Sequence, residues 1–68
     1  MDKVKIGQRI AALRKERGET TIEVAAALNI CQSALSMYEN GSRVPRDDIK
    51  IRISKHFGVP VGEIFFTD

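Results

Sequence analysis

The stretch Thr20-Thr21-Ile22-Glu23-Val24-Ala25-Ala26-Ala27-Leu28-Asn29-Ile30-Cys31-Gln32-Ser33-Ala34-Leu35-Ser36-Met37-Tyr38-Glu39-Asn40-Gly41 decides how this chain folds. Thr20, with Glu23 three residues later, is a capping box: hydroxyl and carboxylate each accept the other residue's backbone N–H. It opens a short helix, Thr21 to Leu28, apolar at Val24, Ala25 and Leu28. Asn29 tolerates the left-handed conformation and is a plausible stop. A second short helix, Gln32 to Asn40, closes at Asn40-Gly41. Two short helices crossing at a tight turn require that the first be narrow on its inner side, and Ala25 to Ala27 are expected to supply that. Ile30 in the turn and Leu35 beyond it then close a small core, and the second helix keeps its N-terminal residues exposed to lie in a major groove. Such a corner occurs in any small helical bundle, so residues 20–40 form a helix-turn-helix candidate whose meaning depends on the rest of the chain.

Outward from that corner the chain continues in helices. Ile6, Ile10 and Leu13 recur at helical spacing, predicting a helix over 3–17 that Gly18 ends, with Lys15 and Arg17 at the negative end of its dipole. Arg43 to Arg46 reads as a loop with Pro45. A fourth helix is expected from Asp47 to Phe57, with Asp47 and Asp48 at its positive end and Ile49, Ile53 and Phe57 facing the core. Gly58 and Pro60 break it, and Val61 to Phe65 is one last turn. No stretch alternates long enough for a strand. The expected class is all-α, with five short helices in one domain, 1–68, and a core spanning 6–65.

The 68 residues are 43% apolar and 29% charged, an ordinary globular balance at the length of one small domain. Cys31 is the only cysteine and His56 the only histidine, which excludes an internal disulfide and argues against a Cys/His zinc site, so no metal or cofactor is expected. The charged N-terminus lacks the apolar segment of a signal peptide, and the longest apolar run, Val24 to Leu28, is far too short to cross a membrane. A cytoplasmic setting and no membrane partner follow as the default. Net charge is only +2, but it is uneven: residues 1–18 carry +4, 19–42 carry −3, 43–55 carry +3 and 56–68 carry −2. Two basic segments flank an acidic middle, which is either a solvated surface or the two sides of an anion-binding face.

Ile6-Gly7-Gln8-Arg9-Ile10, Leu13-Arg14, Gly18, Val24-Ala25, Leu28-Asn29-Ile30, the run Gln32 to Gly41, Pro45, Ile53-Ser54-Lys55, Phe57-Gly58-Val59 and Glu63-Ile64-Phe65 together are more specific than the corner alone. This string resembles the phage-repressor/Cro-like (XRE) helix-turn-helix family, most diagnostically in Tyr38-Glu39-Asn40-Gly41 followed by Pro45. The resemblance implies a compact five-helix, lambda-repressor-like DNA-binding domain that acts as a dimer on a palindromic operator. On the matching positions it implies base contacts by Gln32, Ser33, Ser36 and Met37, and phosphate contacts by Thr21, Asn40, Arg43 and Arg46. It also implies a structural ion pair between Arg14 and Glu39. Gln32 can bond an adenine edge bidentately or reach a phosphate, and Met37 can pack on a thymine methyl or turn partly into the core. Thr21 stands where relatives often carry Gln, with a shorter reach. Cys31 occupies an N-cap position that Ser or Thr fills better. Lys3, Lys5 and Arg9 could touch DNA or simply face solvent, and Lys50 or Arg52 could assist Arg43 and Arg46.

Apolar residues beyond the needs of one core, Val61, Phe65 and Phe66, with Ile51 off the core face, are expected to include the contact between two copies, unless Phe65 and Phe66 merely lid the monomer. The leading expectation is a sequence-specific transcriptional regulator, bacterial or phage-encoded, of the Cro-like repressor type. Its expected partners are an operator duplex, a second copy of the chain and a possible regulating protein. A protein-interaction module that keeps the fold is the alternative, supported by the base-free recognition helix. An enzyme is not expected, because the lone His56 has no nucleophile to serve. A membrane-surface helix is only weakly matched by residues 3–17.

Overall fold

Five helices follow one another in a computed structural model that describes residues 2–66: α1 (Lys3–Glu16), α2 (Thr21–Leu28), α3 (Gln32–Glu39), α4 (Asp47–Phe57) and α5 (Val61–Phe65). No strand occurs among the described residues, so the class is all-α. The last two residues of the 1–68 range, and Met1, lie outside the described residues.

Each boundary has a local cause. The Asp2 carboxylate opens α1 by accepting the N–H groups of Val4 and Lys5 at 3.0 and 3.2 Å. The helix ends one residue earlier than its apolar spacing suggests, because Arg17 is the C-cap, donating its N–H to Arg14 and Lys15 carbonyls. The capping box of α2 is complete: Glu23 accepts from the Thr20 N–H at 2.8 Å and the Thr20 hydroxyl from the Glu23 N–H at 3.1 Å. Asn29 ends α2 in the left-handed conformation, φ 58° and ψ 45°, and the Ile30 N–H returns to the Ala25 carbonyl at 3.0 Å. Cys31 opens α3 without a side-chain cap bond. Asn40 is its C-cap rather than its last residue, and Asp47 and Asp48 occupy the first turn of α4.

The core draws Ile6 and Ile10 from α1, Val24, Ala25 and Leu28 from α2, and Leu35 and Tyr38 from α3. Ile49, Ile53 and Phe57 come from α4, and Ile64 and Phe65 from α5. Ile30 and Leu13 pack against it from its edge. Four expectations change here. Of the three alanines expected inside the α2–α3 corner only Ala25 is buried; Ala26 and Ala27 are exposed, because a helix turns its successive residues to different faces. Phe65 is 1% exposed, a core residue with no surface left for a second copy. Lys50 is no surface cation: it is buried, with its ammonium 5.6 Å from the Phe65 ring centre, 5.2 Å from that of Phe66 and 3.6 Å from Asp47. Arg9 points its guanidinium to the Ile64 carbonyl at 3.0 Å, where it satisfies the end of α5.

The approach of α1 to α3 depends on Gly7. A Cβ there would collide with the backbone carbonyls of Tyr38 and Glu39, so the two helices meet backbone to backbone at the end of α3. No helix among the described residues is long and apolar enough to cross a membrane.

Candidate nucleic-acid interface

α3 is held by one side and one end. Leu35 and Tyr38 are buried, while Gln32 and Ser33 at its start are exposed. Arg14 fixes the far end: its Nε donates to Glu39 Oε2 at 2.8 Å and Nη2 to Oε1 at 3.0 Å, a bidentate pair with side chains 14% and 12% exposed. Its Nη1 donates to the Glu19 carbonyl at 3.0 Å. The hydrogen bonds to Glu39 raise the Arg14 pKa above its ordinary value, against the opposing effect of burial. Arg14 and Glu39 therefore brace the end of the helix.

At the near end, Gln32 Nε2 donates to the Thr21 hydroxyl at 2.8 Å. Two residues with separate expected roles thus meet in one hydrogen bond that joins the first residue of α2 to the first of α3. The bond uses one amide hydrogen. It leaves the other hydrogen and the amide oxygen of Gln32 for a ligand, and the Thr21 hydroxyl keeps its own proton to donate. The Ser33 hydroxyl lies 3.3 Å from the exposed Cys31 sulfur. That contact, followed by the Ala34 backbone, holds the thiol pKa below its ordinary value. Ser36 and Met37 are half-buried one turn further on, so they present less side chain than Gln32 and Ser33 do.

The loop after α3 is shaped by its backbone. Asn40 Oδ1 accepts the Ser42 N–H at 2.9 Å, Gly41 takes φ +81°, and the N–H groups of Ser42 and Arg43 both return to the Met37 carbonyl at 3.0 and 3.3 Å. This turn sends Arg43 outward, its side chain exposed and without a partner among the described residues. Arg46 is also exposed, its Nε 3.7 Å from Asp48, a loose surface pair that a phosphate can replace at little cost. Arg52 is otherwise employed: Nη1 donates to the Leu28 carbonyl at 3.1 Å and caps the end of α2, with Asp48 at 3.7 Å.

Sequence reasoning missed a second brace. His56 Nε2 lies 3.1 and 3.0 Å from the two Glu19 oxygens, and Arg17 Nε lies 3.0 Å from Glu19 Oε1. Together they tie the α1–α2 loop to the end of α4. Residues 37 positions apart with no periodic relation leave no trace in a single sequence. At the opposite side of α4, Val61 is half-buried, Ile51 is 50% exposed and Phe66 63% exposed.

Three comparisons bear on this arrangement. A family described as helix-turn-helix matches residues 10–64. Over 55 residues, 81% of the chain, the sequence is 33% identical to a protein of Pyrococcus horikoshii named as an HTH-type transcriptional regulatory protein, of whose length those residues span 18%. The fold is similar to the crystal structure of the clp gene regulator ClgR from C. glutamicum, with a TM-score of 0.84 at 20% identity, over 97% of this chain and 86% of that one. With a family match that runs from α1 to α5, the chain belongs to the XRE-type helix-turn-helix family.

Proposed function

We propose that the chain is a sequence-specific DNA-binding regulator of transcription, a Cro-like repressor that acts as a homodimer on a palindromic operator and catalyses no reaction. The observation that carries this reading is the Thr21–Gln32 bond, which presents an oriented amide at the exposed start of α3. With α3 in the major groove, the free amide hydrogen and oxygen of Gln32 match N7 and the N6 amino group of an adenine. Ser33, Ser36 and Met37 read neighbouring base edges, while Thr21, Asn40, Arg43 and Arg46 hold phosphates on either side. Phe66 and Val61, beside Ile51, form the contact between copies, and a symmetric dimer spaces its half-sites by about 34 Å. The lone His56 is engaged by Glu19 and packed edge-on against Phe57, which supports a structural role. The setting is the cytoplasm, and a regulating protein is a further candidate partner.

The test is a salt titration of binding to duplex DNA beside selection of preferred sites from random sequence. The expected result is a steep fall of affinity with salt and an enriched palindrome, with Arg43→Ala and Arg46→Ala each flattening the slope by about 0.9 per bound chain. No binding at low salt overturns the reading and points to a protein partner on the same exposed end of α3.

A further inference from the structure

The first turn of α1 lies against the loop that follows α3. A Cβ added to Gly41 would stand 3.1 Å from the Val4 Cγ2 atom and 3.2 Å from its Cα, so loop backbone and helix touch at that point. Lys3 and Lys5 flank Val4 in sequence, and at about 100° per residue they stand on either side of it around the helix. Both are exposed, and neither ammonium group has a partner among the described residues; the same holds for Arg43, two residues beyond Gly41. The other basic side chains nearer the core are committed: Arg9 to Ile64, Arg14 to Glu39, Arg17 to Glu19 and Arg52 to Leu28. The α1 backbone end is itself taken up by Asp2, so the attraction at this site comes from the ammonium groups.

We infer that Lys3 and Lys5 join Arg43 in one cationic ledge that binds the phosphate backbone beside the groove that α3 enters. The inference rests on the DNA-binding reading above and adds a second segment of chain to it. It turns the basic N-terminal segment from a general solvated charge into a phosphate site with a defined neighbour. Lys15 and Lys55 supply a matched control. Both are exposed and without a partner among the described residues. Lys15 is twelve residues along α1 from Lys3, about 18 Å away by helical rise. Lys55 is in the last turn of α4.

The experiment measures binding to a random-sequence duplex across a salt series for wild type, Lys3→Ala/Lys5→Ala and Lys15→Ala/Lys55→Ala, which lose the same charge. The expected result is a log–log slope flatter by about 1.8 per bound chain for the first variant and close to wild type for the second. Lys3→Gln/Lys5→Gln reproduces the loss, and circular dichroism shows unchanged helix content in all variants. Equal losses in the two alanine variants, or none in either, overturn the ledge while wild-type binding leaves the DNA reading standing. A wild-type chain that binds no duplex at low salt overturns both.

Discussion

Gly7 does at a single position what no side chain could. Inside a helix glycine costs about 1 kcal/mol relative to alanine, so the sequence alone marks it as a weak point. Its value lies with two carbonyls more than thirty residues away, those of Tyr38 and Glu39, and these are backbone atoms that cannot swing aside. Gly7→Ala is expected to lose more through this overlap than it gains in helix propensity, a net destabilisation of about 1–3 kcal/mol. A thermal unfolding midpoint lowered by roughly 5–20 °C is the corresponding readout. A midpoint at or above wild type would mean that α1 and α3 separate freely. Arg9, Arg52 and Lys50 teach the same lesson: each reads as surface charge by composition, yet each has a distant partner that spacing does not encode. Thr20 and Glu23, by contrast, were legible because partner and cap lie three residues apart.

The helices show how unevenly a short element can be secured. α3 has a bidentate brace at its C-terminal end but begins at Cys31, with no side-chain cap bond. Cys31→Ser restores a good acceptor there and is expected to raise the unfolding midpoint by a few degrees. The gain depends on pH. The folded thiol has its pKa lowered, first by the Ser33 hydroxyl, so its contribution is present above the unfolded-state value and is lost as pH falls through the folded value. The advantage of Cys31→Ser should therefore shrink as pH rises through the thiol range; a gap that stays constant there refutes this account. α2 carries the matching acid-side dependence. Glu23 is held below its ordinary pKa, first by the Thr20 backbone N–H, so its help is present above the unfolded value and disappears as pH falls through the folded one. Glu23→Ala, which removes that carboxylate, should accordingly destabilise the protein near neutrality and cost less in acid, as denaturant melts across pH would record. Helix limits followed from caps and stop residues to within a residue. The inner face of α2 did not, because three adjacent alanines look alike until a partner helix selects Ala25.

At the scale of the whole molecule, Val4, Ile22, Ile51 and Phe66 are the large apolar side chains left exposed among the described residues. Ile51 and Phe66 remain exposed beside α4 and α5, while Phe65 fills the core one residue earlier. Adjacent phenylalanines near a chain end are equivalent in sequence; only the turn of α5 separates their fates. Phe66→Ser is expected to sediment as a monomer at concentrations where wild type forms the proposed dimer, with stability lowered by only about 1 kcal/mol from the lost ring–ammonium contact. Operator affinity should fall with it, since two linked half-sites bind far more tightly than one. Unchanged sedimentation would place the contact between copies elsewhere.

The division of labour along α3 has a consequence for how such a protein changes over time. Leu35 and Tyr38 carry the helix's share of the core, whereas Gln32 and Ser33 contribute almost nothing to it. Substitutions at the latter two positions can be accumulated, exchanged or reverted while the scaffold stays intact. If those side chains select the operator, a lineage could acquire a new target by two replacements without passing through an unfolded ancestor.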